Sequence, residues 1–237
     1  MNSIILILHP MQKPILTIIV PVYNEGRTIE EIMRRTASAH PHAEIVYVDD
    51  GSRDTSLACM KSHARPQDKI LTKENGGKGS AIRHGIPHAT GKFTVIQDAD
   101  LEYDPQEIHT LLREAEKNPG AAIFGSRFLV KNPNLYKRYL LGNKIVTMIL
   151  NLLFHGNLTD SYTCYKLFPT EILQSLQLCS NGFEIEAEFC AKLFRAHIQI
   201  LEVPIRYSPR SLAEGKKIRF SDAWKGVATM LRVRCCR

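Results

Sequence analysis

Short apolar runs alternate with stretches of helical periodicity over the first half of the chain. Runs rich in β-branched residues predict five strands, at residues 15–20, 44–48, 69–72, 93–97 and 121–124. Between them the apolar spacing predicts helices that begin near Thr28, Thr55, Lys78 and Pro105. Proline is favoured in the first turn of a helix, which supports the last of these starts. The alternation is typical of βαβ units, so we expect an α/β fold with a mostly parallel sheet flanked by helices.

The pattern changes after residue 125. It predicts helices over residues 135–154, 183–194 and 221–233, and strands over residues 162–168 and 199–205. Residues 139–154 are almost wholly apolar, apart from a single polar stripe at helical spacing formed by Asn143, Thr147 and Asn151. This helix is too short to span a bilayer. It either packs in the core or dips into a membrane interface beside the basic residues Lys137, Arg138 and Lys144, and both interpretations stay open.

The length suits one main domain with a basic C-terminal extension. Of the 237 residues, 44% are hydrophobic, which is enough for a full core. We expect an N-terminal extension over residues 1–12, a main domain over 13–207, and a basic loop and helix over 208–237. No apolar run reaches the roughly 18 residues of a membrane-spanning helix, and the short run at 4–8 lacks the flanks of a signal peptide. The six cysteines show no zinc-type spacing, so we expect a cytoplasmic protein with reduced thiols.

Basic residues are concentrated in two parts of a chain whose net charge is +7. Residues 206–237 hold nine Lys/Arg against only Glu214 and Asp222, so the rest of the chain is neutral overall. A second stretch, residues 117–159, has no acidic residue and six basic ones. Such charge attracts phosphate groups, anionic membranes or nucleic acid, although any one cluster can also be a solvated basic face. No nucleic-acid-binding motif is visible, so nucleic acid is not an expected partner.

Polar clusters follow the first two strands directly. The first strand runs into Pro21-Val22-Tyr23-Asn24-Glu25, and the second runs into Asp49-Asp50-Gly51-Ser52. Ligands of open α/β sheets bind beyond the carboxyl ends of the strands, where a carboxylate can hydrogen-bond a base or a ribose. Gly51 would permit a tight turn against such a ligand. The alternative is that Asp50 and Ser52 only cap the next helix.

A glycine-rich segment precedes the third predicted helix. In Glu74-Asn75-Gly76-Gly77-Lys78-Gly79, the glycines would let backbone N–H groups approach a diphosphate, and Lys78 would supply positive charge. The segment lacks the spacing of a Walker A loop. A flexible surface turn is the alternative interpretation.

Three acidic residues follow the fourth strand, in Asp98-Ala99-Asp100-Leu101-Glu102. Alternate residues of an extended segment face the same way, so the three carboxylates are expected to converge on one divalent cation. That ion would bridge two phosphates of an activated substrate and stabilise the diphosphate as it leaves. An Asp-x-Asp pair also arises by chance, and it is the position after a buried strand that favours a metal site here.

Further candidates lie in the second half of the chain. Gly125-Ser126-Arg127 closes the fifth strand, and Asp160 precedes Tyr162-Thr163-Cys164-Tyr165-Lys166. Later, Glu184 and Glu188 are four residues apart and share a helix face, so one of them is expected to point into the site. The alternative is that carboxylates in a first helical turn only stabilise the helix dipole.

Taken in order, these motifs closely resemble glycosyltransferase family 2. The resemblance rests on the order and spacing of Val20-Pro21-Val22-Tyr23-Asn24-Glu25, Asp49-Asp50-Gly51-Ser52, Asn75-Gly76-Gly77-Lys78-Gly79, Asp98-Ala99-Asp100 and Gly125-Ser126-Arg127. It covers nearly the whole chain and is strongest with the dolichyl-phosphate mannose or glucose synthase branch and its bacterial polyprenyl-phosphate relatives. The resemblance implies a GT-A (Rossmann-like) fold, inversion at the anomeric carbon, and a Mg²⁺ or Mn²⁺ ion.

The resemblance also implies roles for residues that would bind the sugar donor. It assigns the nucleotide to Pro21, Tyr23, Glu25 and Asp50, the diphosphate to Lys78, and the metal to Asp98, Asp100 and Glu102. Glu102 is a departure from the family pattern, because mannosyl synthases often carry glutamine there.

A second group of residues matches the parts of the family's site that surround the donor sugar, the diphosphate and the acceptor. Arg127 and the Lys137-Arg138 pair match the region that grips the acceptor phosphate, and Asp160 would touch the donor sugar. Arg210 and Lys217, in a basic C-terminal loop, would close over the diphosphate or the acceptor.

The expected activity is transfer of a hexose from a UDP- or GDP-linked donor to a polyprenyl phosphate at the cytoplasmic face of the membrane. The expected catalytic residues are Asp100, Asp160, Glu184 and Glu186. A lipid phosphate is already ionised near neutral pH, whereas a sugar hydroxyl would need a general base such as Glu184 or Glu186. Membrane attachment is expected to be peripheral or through a partner, because many relatives continue into transmembrane helices and this chain ends soon after the basic loop.

Two other functions stay open. A sugar-nucleotide nucleotidyltransferase shares a similar sheet and also uses a metal, but residues 21–25 replace its usual glycine-rich loop after the first strand. Release of pyrophosphate would favour that alternative. The other possibility is an inactive nucleotide-sugar sensor, or a nucleic-acid binder that uses the basic tail, which would bind without any transfer.

Overall fold

Seven strands form one sheet among the residues that the structure describes. The computed structural model describes residues 13–132, 137–210 and 220–235. The strands are β1 (Leu16–Val22), β2 (Glu44–Asp49), β3 (Lys69–Thr72), β4 (Phe93–Ile96), β5 (Ala122–Ser126), β6 (Lys166–Pro169) and β7 (Ile200–Pro204). The helices are α1 (Ile29–Ala39), α2 (Ser56–His63), α3 (Lys78–Gly85), α4 (Ile108–Lys117), α5 (Lys137–Phe154), α6 (Thr170–Ser175), α7 (Ile185–Arg195) and α8 (Phe220–Cys235).

The sheet has the strand order β3-β2-β1-β4-β6-β5-β7. Its neighbouring strands are parallel except where β6 runs antiparallel to both β4 and β5. Strands β4 and β5 are buried along their whole length, as expected for strands covered on both faces. The prediction of a mostly parallel sheet flanked by helices is therefore confirmed. Its consequence for function is that the carboxyl ends of β1, β2, β4 and β5 lie at the same edge.

Helix α4 shows how a typical helix covers this sheet. Ile108, Leu111 and Ala115 recur at helical spacing and are buried, while Glu116 and Lys117 are exposed or partly exposed. A short 3₁₀ turn at Pro105–Glu107 leads into the helix, and the Asp104 side chain accepts a hydrogen bond from the backbone N–H of Gln106 at its start. The apolar face of α4 thus joins the core and its polar face meets solvent.

Helix α5 has the opposite arrangement. Its polar stripe faces the protein: Asn143 donates to Asp160, Thr147 hydrogen-bonds Ser161, and the Asn151 amide donates to the carbonyl of Leu158. Val146 and Leu150 are buried on the same side, and the apolar residues on the outer face, Leu141, Ile145, Met148 and Leu152, are exposed. The helix therefore contributes to the core through one face only. Among the described helices, none is long and apolar enough to cross a bilayer.

The predicted elements agree with the structure in the first half of the chain to within about three residues. The differences are larger afterwards. The strand predicted over residues 162–168 begins only at Lys166, because Thr163 and Cys164 turn toward other partners, and the helix predicted from residue 183 begins at Ile185. Helix α6 was not predicted. Lys217, Lys137 and Arg138 were predicted site residues, and their side chains lie outside the described part of the structure.

Candidate functional site

A cavity of about 270 Å³ opens at the carboxyl ends of the parallel strands. The predicted site residues in its wall are Pro21, Tyr23, Glu25, Asp50, Lys78, Asp98, Asp100, Glu102, Arg127, Glu186 and Arg210. Two others, Asp160 and Glu184, do not belong to the wall. Residues from both halves of the chain thus meet in one place, as the sheet-edge rule predicts.

Asp50 holds the glycine-rich segment against the end of β2. Its carboxylate accepts hydrogen bonds from the backbone N–H groups of Gly76 (3.0 Å) and Gly77 (2.7 Å) and pairs with the Lys73 ammonium at 2.7 Å. Gly77 has a φ of +97°, and a Cβ there would stand 2.6 Å from the carbonyl oxygen of Asn181. Only glycine fits this conformation and this close approach. Both oxygens of Asp50 are therefore engaged in shaping the wall.

Lys78 links three elements around the cavity. As the first residue of α3, it directs its ammonium to the carboxylates of Asp98 at 2.8 Å and Glu186 at 3.1 Å. Burial alone would lower the pKa of Lys78, but Asp98 and Glu186 outweigh burial and raise that pKa well above its ordinary value. Lys78 is therefore a permanent positive charge in the wall.

Asp98 and Asp100 place negative charge at the end of β4. The pKa of Asp100 is raised to about 7, first by burial and then by the neighbouring charges of Asp98 and Glu102. Such crowding of carboxylates is unfavourable without a cation, and oxygen ligands of this kind suit Mg²⁺ or Mn²⁺. The residues present therefore fit a divalent ion. Within the described ranges, however, the ligand oxygens of Asp98, Asp100 and Glu102 do not all lie within 4.8 Å of one another.

Glu102 has other partners, which corrects the expectation of three convergent ligands. One carboxylate oxygen accepts a hydrogen bond from the Tyr207 hydroxyl, and the other accepts one from the backbone N–H of Arg210 at 2.8 Å. The expectation failed because the chain after Asp100 does not stay extended: Leu101 has a φ of +64°. Glu102 therefore anchors residues 207–210 at the cavity.

That anchor positions Arg210. The Arg210 guanidinium donates to the Glu25 carboxylate at 2.7 Å and to the backbone carbonyl of Asp100 at 2.8 Å. Burial alone would lower the pKa of Arg210, but hydrogen bonding to Glu25 and the charge of Asp100 raise it. Arg210 thus ties the C-terminal part of the described chain to the ends of β1 and β4.

Asp160 supports Arg127 instead of facing the cavity. The fully buried Asp160 carboxylate accepts hydrogen bonds from the Arg127 guanidinium at 2.7 and 2.8 Å and from the Asn143 amide at 2.8 Å. Burial alone would raise the pKa of Asp160, but the Arg127 charge outweighs burial and lowers it. Asp160 is not part of the cavity wall and pairs through both oxygens with the Arg127 guanidinium, so the structure does not show the predicted contact with a substrate sugar. Asp160 is a positioning residue for Arg127.

The glutamates near the start of α7 have three different environments. Glu186 lines the cavity and pairs with Lys78 and with the fully buried Lys166, the latter at 2.5 Å. Glu184 precedes the helix and accepts from the backbone N–H of Gly182, outside the cavity wall. Glu188 accepts from the backbone N–H groups of residues 179 and 180. The expectation that Glu184 or Glu188 points into the site is therefore wrong. Both carboxylates instead cap backbone N–H groups of residues 179, 180 and 182.

Aromatic side chains complete the wall, and the sequence patterns assigned them no role. Tyr103 packs on Tyr207 with ring centroids 5.0 Å apart, and the Arg127 guanidinium lies 5.1 Å above the Tyr207 ring. Phe183 lies 5.8 Å from the Lys78 ammonium. The only signal for these contacts was the proximity of aromatic residues to charged motifs in the sequence. These contacts help to hold the Lys78 and Arg127 side chains in place at the cavity wall.

Several solved structures have a similar fold. Glucosyl-3-phosphoglycerate synthase from Mycobacterium tuberculosis, in complex with phosphoglyceric acid, matches 93% of this chain over 79% of its own, with TM-score 0.71 and 18% identity. S. aureus TarS with UDP-GlcNAc matches 92% over 66%, with TM-score 0.59 and 14% identity. The mannosyltransferase PcManGT from Pyrobaculum calidifontis, with GDP-Man and Mn²⁺, matches 95% over 71%, with TM-score 0.56 and 17% identity. At these identities the likeness shows a shared fold.

The family comparison goes further than the shared fold. The model of the family described as "Glycosyl transferase family 2" matches residues 17–177, which is more than half of the chain. The matched region includes the ends of β1, β2 and β4, the glycine-rich segment, and the Asp98–Asp100 pair. The chain therefore belongs to glycosyl transferase family 2.

Proposed function

We propose that this protein transfers a hexose, with inversion, from a UDP- or GDP-linked sugar to the phosphate of a polyprenyl lipid at the cytoplasmic face of a membrane. Family membership supports the transfer of a sugar from an activated donor. The ligands named for structures of similar fold, UDP-GlcNAc and GDP-Man with Mn²⁺, support a nucleotide-sugar donor and a divalent ion. The lipid acceptor rests on the chemistry of the cavity wall.

The donor is proposed to lie along the ends of β1, β2 and β4. Tyr23 and Glu25 follow β1, and the glycine-rich segment held by Asp50 supplies the facing wall. Asp98 and Asp100 would hold Mg²⁺ or Mn²⁺, and the ion would offset negative charge on the nucleoside diphosphate. Lys78 adds a fixed positive charge on the same side. These residues bind and orient the donor without forming a covalent intermediate.

The acceptor assignment depends on one observation, the contacts that the Glu186 carboxylate makes. This carboxylate lines the cavity but lies between the ammonium groups of Lys78 and Lys166, at 3.1 and 2.5 Å. Each of its two oxygens therefore already pairs with an ammonium group. The other predicted base, Glu184, is not in the wall. An acceptor that arrives already ionised needs neither residue as a base.

A phosphate monoester satisfies that requirement, because its second pKa is about 6. In the proposed step, a phosphate oxygen of the acceptor attacks the anomeric carbon while the bond from that carbon to the donor diphosphate breaks. The electron pair leaves with the nucleoside diphosphate, and no proton needs to be transferred. Arg127, fixed by Asp160, would hold the acceptor phosphate.

The proposal is tested with purified protein, a panel of UDP- and GDP-sugars, Mg²⁺ or Mn²⁺, and a short, water-soluble polyprenyl phosphate. We expect one donor to raise the melting temperature only when the metal is present, and to label the lipid with release of a nucleoside diphosphate. Release of pyrophosphate would instead identify a nucleotidyltransferase. Binding of donor without transfer to any acceptor would identify a sensor.

Variants of the two glutamates separate a phosphate acceptor from a sugar hydroxyl. Glu184→Gln is expected to keep near-normal turnover. Glu186→Gln is expected to lower turnover through the displaced lysines, with the pH profile of the remaining activity unchanged. If a hydroxyl were activated by Glu186, the acidic limb of the profile, which reflects a general base, would disappear in Glu186→Gln.

A further inference from the structure

Helix α5 exposes an apolar stripe to solvent. Surface helices normally turn such a stripe toward the protein core. Leu141, Ile145, Met148 and Leu152 follow one another at intervals of four, three and four residues, which places them on one face. All four are exposed, and Leu152 keeps 78% of its accessible surface. Single exposed apolar residues are common, but a stripe of this length marks an interaction surface.

The neighbouring helix also exposes large apolar side chains. Helix α8 packs against α5 and exposes Trp224 and Leu231, which are seven residues apart and therefore lie on one face. Trp224 keeps 76% of its accessible surface. Leu129 and Val130, just after the cavity residue Arg127, are also exposed. We call the set the α5–α8 apolar surface: Leu129, Val130, Leu141, Ile145, Met148, Leu152, Trp224 and Leu231.

The inner face of α5 makes this orientation stable. Asn143, Thr147 and Asn151 each hydrogen-bond a buried or partly buried group, so a rotation that hid the apolar stripe would leave these polar groups unpaired. Asn143 in turn supports the Asp160 carboxylate that holds Arg127. The exposed stripe is therefore coupled to the geometry of the cavity.

Charge around the surface distinguishes between possible occupants. Exposed basic residues accompany it on the same helices: Lys144, Lys225, Arg232 and Arg234. Helix α5 contains no acidic residue, and in the described part of α8 the acidic residue is Asp222. A second copy of the chain would bring like charges together, whereas a bilayer with anionic headgroups would meet both the apolar and the basic groups.

We propose that the α5–α8 apolar surface docks on an anionic lipid bilayer. The apolar side chains would enter the boundary between headgroups and acyl chains, with Trp224 at that boundary, a depth that tryptophan favours. The basic side chains would face the lipid headgroups. Leu129 and Val130 follow the cavity residue Arg127 in sequence, and in this proposal a lipid phosphate reaches the cavity there while its tail stays in the bilayer. This last step rests on the proposed function, but the docking itself does not.

The test uses the only tryptophan of the chain as a probe. The full-length protein is mixed with vesicles of phosphatidylcholine alone or with added phosphatidylglycerol, without donor or polyprenyl phosphate. We expect a blue shift of Trp224 emission and co-sedimentation with the anionic vesicles, both weakened by salt. Leu152→Glu should lower the partition coefficient by about tenfold. The matched control is Ile15→Glu, which changes another exposed aliphatic residue outside the surface and should bind like the wild type.

Three outcomes would overturn the proposal. The first is no binding to either kind of vesicle, and the second is equal loss of binding in both variants. The third is a concentration-dependent dimer in sedimentation velocity that Leu152→Glu dissociates, which would assign the surface to a second copy. Circular dichroism checks that each variant is folded. These vesicles hold no acceptor, so docking and sugar transfer are measured separately. Docking can fail while transfer to a water-soluble polyprenyl phosphate persists. Docking can also persist while transfer fails.

Discussion

The two sides of the cavity are held in place by different kinds of contact. On the side of β1 and β2, the Asp50 carboxylate is fixed by backbone N–H groups of Gly76 and Gly77. On the opposite side, Arg127 and Glu186 are fixed by buried ion pairs with Asp160 and Lys166. The first side is shaped by a loop, and the second by paired charges.

This difference determines how each side should respond to substitution. A loop held by backbone N–H groups loses its shape when a glycine is replaced, because the backbone conformation itself is special. A buried ion pair that loses one partner leaves an uncompensated charge, so the main effect is a loss of stability. Substitutions on the two sides should therefore differ in how strongly they change substrate binding relative to stability.

The largest effect is expected for the carboxylates after β4. Asp98→Asn and Asp100→Asn should each lower kcat/KM by about 1,000-fold, because the proposed metal ion loses a charged ligand while the fold is retained. Steady-state kinetics at several Mn²⁺ concentrations measure this. Glu116→Gln, an exposed change on α4, is the control and should behave like the wild type. A loss of less than tenfold in both variants would argue against a metal at this position.

Removal of the charge that supports Arg127 should act mainly on stability. Asp160→Asn is expected to lower the free energy of unfolding by about 3 kcal/mol and to raise the KM for the acceptor more than that for the donor. Denaturant unfolding and kinetics measure the two effects. Glu114→Gln removes a surface ion pair with Lys117 and should change stability by less than about 1 kcal/mol. Equal destabilisation by the two variants would contradict the comparison.

The contribution of Asp160 should also depend on pH with a defined sign. Its pKa in the folded protein lies below the ordinary 3.8, so its ionised form stabilises the fold at pH values above 3.8. The stability difference between wild type and Asp160→Asn should therefore be constant near neutral pH and shrink as the pH falls below about 4. A stability difference that grew as the pH fell would contradict the lowered pKa of Asp160.

Replacement of one glycine tests the loop side of the comparison. Gly77→Ala should lower stability by about 2 kcal/mol and raise the KM for the donor, because alanine disfavours the positive φ and its Cβ would meet the carbonyl of Asn181. A Cβ added at Gly120 would meet no atom within 4 Å, so Gly120→Ala is the matched control. Thermal unfolding with and without donor distinguishes loss of stability from loss of binding.

Much of the cavity wall at the ends of β1, β2 and β4 could be predicted from the sequence alone. Its motifs lie within a few residues of strand ends, and the parallel sheet brings those ends together, so Tyr23, Asp50 and Asp98 were expected near one another. The expected convergence of Glu102 failed because the positive φ of Leu101 ends the alternation of faces. A single nonextended residue is enough to redirect a side chain, and periodicity does not reveal it.

The side of the cavity formed by Arg127 and Glu186 could be described only from the tertiary structure. Asp160 and Lys166 are separated in sequence from their partners Arg127 and Glu186, and a charged residue has no local pattern that identifies its partner. The same holds for α5, where the spacing of its polar stripe was visible but not its direction. A polar stripe that faces water and one that faces buried partners show the same residue spacing in the sequence.

The sequence by itself determined most of the strands and helices, the family and the position of the acidic and glycine-rich motifs, because these depend on local periodicity and on spacing along the chain. Only the tertiary structure decided that Asp160 supports Arg127, that Glu186 lies between two lysines, and that α5 turns its apolar face outward. Those outcomes depend on which buried polar groups find partners across the fold, and distance in space sets that pairing.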